Sequence, residues 1–194
     1  DVFSAAYDKL PPAQQDVAGA QALVDQAGVP SQPIVVAVDA GNQAGVTAVT
    51  AIQDAARQIG LDVEIKTFES AAFAGVLFDP TAREGIDMVF VTSTTDIADP
   101  LELYAQALPG SPYEWTGFEN PAFVDPTTKA LAEADPVKRA ELVTQGQASF
   151  AEQVQVLPVY SPNELLFMSN KITGPPVSSL SSLYYPWAAT VGAP

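Results

Sequence analysis

Ile34-Val35-Val36-Ala37-Val38-Asp39-Ala40-Gly41-Asn42 decides how the rest of the chain is read. Five apolar residues in a row are the mark of a buried strand, and a cluster of turn residues ends the run. A helix follows, with Val46, Val49, Ile52, Ala56 and Ile59 on one face and Gly60 placed to end it. Leu61 to Lys66 then alternates strictly, with Leu61, Val63 and Ile65 on one side and Asp62, Glu64 and Lys66 on the other. That is a strand with one wet face. Residues 69–77 are expected to form a short helix, and Met88-Val89-Phe90-Val91 to form the central strand.

Upstream, residues 13–27 read as a helix that starts after Pro11 and Pro12 and stops at Gly28. Val17, Ala20, Leu23, Val24 and Ala27 form its face. Downstream, three Asp-Pro pairs read as helix starts: Asp99-Pro100, Asp125-Pro126 and Asp135-Pro136. The last begins the longest helix, about 136–155. Residues 109–126 are a loop rich in proline, glycine and aromatics. Leu157–Tyr160 and Leu165–Met168 look like strands, and Thr173–Pro194 shows little periodicity. The order predicts an α/β (mixed α+β) fold, a small mixed sheet flanked by helices. In such sheets ligands gather beyond the carboxyl ends of strands, which singles out the loops after Val38 and Val91.

Composition narrows the function. The chain has 194 residues, enough to bury a core. Its 8 basic and 23 acidic side chains give a net charge of −15, which argues against nucleic acid and anionic membranes. Cysteine and histidine are absent, so thiolate nucleophiles, cysteine zinc sites and histidine acid–base chemistry are excluded. No apolar run is long enough to span a bilayer. The chain starts at Asp1 with neither methionine nor a leader, and reads as a processed product or a fragment.

Few motifs carry chemistry. Gly41-Asn42-Gln43-Ala44-Gly45 joins strand to helix, but lacks the dinucleotide fingerprint and the P-loop lysine; a plain turn is expected. Carboxylate pairs can be drawn at will among so many acids, and no calcium-loop spacing occurs, so no catalytic residue, metal site or cofactor is assigned. The serines have no nucleophile-elbow setting. Asp99 is accounted for by capping. Asp96, in the polar stretch after the third strand, either pairs with an ammonium group or is an ordinary solvated aspartate. Tyr113, Trp115 and Phe118 either line a pocket or pack the loop, and packing is favoured.

These pieces, in order, resemble the family 5 bacterial extracellular solute-binding proteins, which include the dipeptide- and oligopeptide-binding proteins of ABC importers. The resemblance runs from about Tyr7 to Trp187. It is carried by Ala22-Leu23-Val24-Asp25-Gln26-Ala27-Gly28, by Ala51-Ile52-Gln53 through Ile59-Gly60-Leu61-Asp62-Val63, and by Thr95-Asp96-Ile97-Ala98-Asp99-Pro100. Gly117-Phe118-Glu119-Asn120-Pro121, Val156-Leu157-Pro158-Val159-Tyr160 and Ile172-Thr173-Gly174 continue it.

The resemblance implies a two-lobed binding protein of which this chain is the C-terminal lobe, residues 1–160. Residues 161–194 would then return to the N-terminal lobe of the same full-length protein. It implies a small-molecule or peptide ligand, ABC permease subunits as partners, no cofactor, and a location on the extracellular face of the membrane or in the periplasm, lipid-anchored in the full-length protein. Asp96 matches the aspartate that pairs with a peptide's α-amino group. Ser93, Thr94, Thr95 and Asn42 become secondary polar contacts, and Tyr113 and Trp115 wall residues. Ser93 stands where peptide binders commonly carry an aromatic, so a sugar, a metal chelate or an amine stays open as ligand. A carboxylate-dependent hydrolase and a protein-interaction module are the alternatives outside the family.

Overall fold

The computed structural model describes residues 14–95, 97, 99–117, 119–161, 163, 167–174 and 191–193. It divides into two compact units, Asp1–Ser93 and Thr94–Pro194.

The first unit holds helix α1 (Val17–Ala27), strand β1 (Ile34–Asp39), helix α2 (Gln43–Gln58), strand β2 (Val63–Phe68), helix α3 (Ser70–Phe78) and strand β3 (Met88–Phe90). The three strands form one parallel sheet in the order β2-β1-β3. The register pairs Val36 with Ile65 on one side and with Met88 on the other. The expected central strand is thus corrected: β1 is the middle strand and β3 lies beside it. The reason is visible in burial. Val36, Ala37 and Val38 are covered on both faces, whereas Met88, Val89 and Phe90 are half-buried.

Side-chain alternation along β1 splits the core into two layers. Val36 and Val38 pack with Val49 of α2 and with Val63, while Ala37 points the other way onto Phe73 and Val76 of α3. Helices on both faces of the sheet are the layered α/β arrangement that the sequence predicts, but among the described residues the sheet is parallel and not mixed, since each strand returns through a helix to run the same way. Side chains fix the seams. Gln53 Nε2 donates to the Val63 carbonyl at 2.6 Å, tying α2 to β2. Asp87 extends the β1–β3 pairing: its amide donates to the Val35 carbonyl at 2.9 Å, and its Oδ2 accepts from the Val35 amide at 2.8 Å.

Helix α1 starts later than its sequence suggests. Asp16, not the proline pair, caps it by accepting from the Gly19 amide at 2.8 Å. The prolines at 11 and 12 lie outside the described residues. Its apolar face is only partly covered: Ala20 and Val24 are half-buried, while Leu23 is 67% exposed.

The second unit is helical, with α4 (Leu101–Gln106), α5 (Pro121–Ala132) and α6 (Pro136–Gln153). Two of the three Asp-Pro pairs mark helix starts as expected. Asp135 caps α6 through the Val137 and Lys138 amides. Asp99 Oδ1 accepts from the Leu101 amide at 3.0 Å, at the start of α4. The third is a correction. Helix α5 begins one turn earlier, at Asn120-Pro121, where Asn120 Oδ1 accepts from the Ala122 amide; Pro126 sits buried inside the helix. Asparagine and aspartate cap about equally well, so the local signal does not separate the two starts; packing does, since Phe123, which only the earlier start makes helical, is 1% exposed.

Phe123, Ala130, Ala140 and Val143 are buried where these helices meet. Tyr104 meets Phe150 edge-on at 5.7 Å, and Phe123 lies 5.0 Å from Phe150, so three aromatics form the centre of this unit. Leu157–Tyr160 is not a strand. It is irregular, and Leu157, Val159 and Tyr160 are exposed; among the described residues no strand pairs with the segment. Of the expected strand Leu165–Met168, residues 165 and 166 lie outside the described residues, and Phe167 and Met168 are not in a strand.

Candidate functional site

The carboxyl ends of β1 and β3 meet in the first unit. From β1 the chain runs through α2 to β2 on one flank, and from β2 it crosses back to β3 on the other. The ends of β1 and β3 are therefore the topological switch point, where open α/β sheets leave a crevice. A cleft of about 340 Å³ lies there. Asp39, Asn42, Ser70 and Thr92 supply its polar side, and Phe73, Ala74, Leu77, Phe90 and Val91 its apolar side.

Each polar group is held by the local fold. Asp39 ends β1, and its Oδ1 accepts from the Gly41 amide at 2.8 Å and from the Ser70 hydroxyl at 2.9 Å. This locks the turn after β1 to the first residue of α3. Asn42 caps α2: its Oδ1 accepts from the Gly45 amide at 2.9 Å. Its Nδ2 points at Thr92 Oγ1, 3.4 Å away, across the switch point. Gly45 is the residue that lets the helix start so close to β3, since a Cβ there would lie 2.9 Å from Phe90 Cε1. The Gly41–Gly45 stretch is thus a turn and a cap, as the sequence suggests.

In the second unit, Thr95 is half-buried and Thr94 exposed. The segment before α4 is tied to the helix by Glu102, whose Oε2 accepts from the Ile97 amide at 2.9 Å. Asp96 lies outside the described residues, as does Phe118. Tyr113 and Trp115 stack edge-on at 6.5 Å. Between them the Glu114 carboxylate gathers the Thr116 hydroxyl and the amides of Thr116 and Gly117. The aromatic pair is therefore preset by its own loop. Trp115 is half-buried and Tyr113 exposed.

Of the sequence-derived candidates, Asn42 and Ser93 belong to the first unit, and Thr94, Thr95, Tyr113 and Trp115 to the second. The structure sets Asn42 against Thr92 and Tyr113 against Trp115. Sequence reasoning passed over Asp39, Ser70 and Phe73 as cleft residues. Asp39 carried a weak signal: a carboxylate ending an apolar strand, two residues before a glycine. Ser70 carried none. Among the described residues, no cluster of three or more His, Cys, Asp or Glu could hold a metal ion, and no helix is long and apolar enough to cross a membrane.

Comparison with known proteins agrees with this architecture. Residues 1–115 match the profile of the bacterial extracellular solute-binding proteins, family 5, middle region. The oligopeptide-binding protein OppA of Bacillus subtilis is 25% identical over 129 residues, covering 66% of this chain and 23% of OppA. The ABC transporter substrate-binding protein CtaP of Listeria monocytogenes superposes with a TM-score of 0.66 at 21% identity, over 75% of this chain and 30% of CtaP. The periplasmic binding protein DppA of Helicobacter pylori, solved with the peptide STSA, gives 0.62 at 23% identity, over 73% of this chain and 28% of DppA. The two solved structures share the fold, and this chain spans less than a third of each relative. All of these are solute-binding proteins and not enzymes, which sets the carboxylate hydrolase aside. With more than half of its residues matched to one family profile, the chain belongs to the bacterial extracellular solute-binding proteins of family 5.

Proposed function

We propose that the full-length protein is the solute-capturing component of an ABC importer, and that this chain supplies one of its two ligand-binding lobes. The observation that carries this is the family match over residues 1–115. In this reading residues 1–160 form the C-terminal lobe. Residues 161–194 return to the N-terminal lobe. The protein works outside the cytoplasmic membrane on a lipid anchor and delivers its solute to the permease subunits.

A peptide is the first choice of solute, supported by the similarity to OppA. Asp96 anchors the ligand's α-amino group through a charge-assisted hydrogen bond. Ser93, Thr94, Thr95 and Asn42 add polar contacts, and Tyr113 and Trp115 form a wall. A non-peptide solute is the second reading, favoured by Ser93 in place of an aromatic. Solved proteins of this fold hold ligands as unlike as the peptide STSA, stachyose and Ni(L-His)2.

The test is native mass spectrometry of the full-length protein for a co-purifying solute, followed by calorimetry with trialanine and N-acetyl-trialanine. The expected result is tighter binding of the free amine, with the preference lost in Asp96→Ala. Equal affinity of the wild type for both peptides removes the amine role from Asp96.

A further inference from the structure

We propose that the cleft at the β1/β3 switch point takes a cationic group carried on an apolar stem, such as an alkylammonium, with Asp39 as its counter-ion. The inference rests on the solute-binding reading and names the kind of chemical group that this cleft accepts.

Three observations lead to it. First, the Asp39 carboxylate is half used. Oδ1 accepts from both Gly41 and Ser70, while among the described residues nothing donates to Oδ2 and no Lys or Arg pairs with the side chain. A carboxylate held rigidly by one oxygen, with the other open, is preset to accept a charge-assisted hydrogen bond. Second, that carboxylate stands beside an apolar wall of Phe73, Leu77, Phe90 and Val91. Such a wall contributes by removing a stem's apolar surface from water. Third, Asp39 is the one charged side chain among the described residues that line the cleft, which opposes an anionic occupant and favours a cationic one. A neutral stem would fill the wall and leave Oδ2 unmatched. A small bare cation would meet a single carboxylate and leave the wall wet. A stem ending in an ammonium uses both halves of the cleft.

The probe is hexylammonium against 1-hexanol, titrated into this chain and followed by NMR signals of Phe73, Leu77 and Val91. Hexylammonium is expected to shift those signals and to bind about fivefold more tightly than the alcohol, the scale of an ion pair near a surface. Asp39→Asn keeps an oxygen acceptor for Gly41 and Ser70 and is expected to bring the amine down to the affinity of the alcohol. The proposal is overturned if amine and alcohol bind alike to the wild type, if the shifts fall elsewhere, or if Asp39→Asn leaves the preference intact. The wild-type comparison decides without any variant. These outcomes leave solute capture standing, which fails separately if the full-length protein neither carries nor binds a solute.

Discussion

Arg139 reaches from helix α6 to Asp99, placing Nη2 3.1 Å from Oδ2 of a carboxylate whose other oxygen accepts the Leu101 amide. One side chain thus both starts α4 and fastens it to the longest helix of the second unit. Asp99 is 19% exposed and Arg139 35%. Asp99→Ala removes the amide bond and the ion pair and is expected to cost about 1–2 kcal/mol. Arg139→Ala is expected to cost about 0.5 kcal/mol, since solvent screens a partly exposed pair. A double-mutant cycle from urea melts gives the coupling, which should shrink as salt rises. No coupling at low salt contradicts this reading.

Gly45 is the point where helix α2 starts against β3. A Cβ there would lie 2.8 Å from Asn42 Nδ2 and 2.9 Å from Phe90 Cε1. Alanine gains roughly 0.5–1 kcal/mol of helix propensity. Displacing the cap and the ring costs about 1–3 kcal/mol. The expected net result for Gly45→Ala is a lower melting temperature by calorimetry. A rise would show that Phe90 and Asn42 yield freely.

Thr127 of α5 and Gly146 of α6 face each other closely in the second unit. Thr127 is 1% exposed, and its hydroxyl has no hydrogen-bond partner among the described residues. Thr127→Val is expected to stabilise by about 1 kcal/mol, because it removes a buried unsatisfied hydroxyl at nearly constant volume. Gly146→Ala would put a Cβ 2.5 Å from Thr127 Oγ1, so it is expected to cost about 2 kcal/mol. Thr127→Ala should recover part of that loss in the double variant, measured by thermal unfolding.

Burial raises the Tyr104 hydroxyl above its ordinary pKa of 10.0. The folded state therefore holds this proton more tightly than the unfolded chain. Unfolding stability is expected to be insensitive to this group below pH 10.0 and to fall as pH rises from there through the raised folded value. Tyr104→Phe should flatten that limb in urea melts taken across the alkaline range. An unchanged slope assigns the loss to other groups.

Much of the fold is legible along the chain because its signals are local. The apolar run at Ile34–Val38, the alternation at Leu61–Lys66 and the caps at Asn42, Asp99 and Asp135 each depend on neighbours within a few residues. The misreadings come where two local signals compete or where a partner is needed. Asp125-Pro126 looked like a helix start, but Asn120-Pro121 one turn earlier captured it. Leu157–Tyr160 has a strand's composition yet stays irregular and exposed, with no strand beside it among the described residues, and strands exist only in pairs.

By itself the sequence determined the family, the order of helices and strands from Val17 to Phe90, and the chemistry ruled out by the lack of cysteine and histidine. Those properties are written in residue type and short-range period. Tertiary structure alone decided that β1 is the middle strand, that Asn42 faces Thr92, and that Asp39 is anchored by Ser70. Parallel strands must be joined by crossovers, so the residues that meet at their carboxyl ends lie tens of positions apart in the chain. No local pattern records such a meeting, and only the register of the packed sheet brings it about.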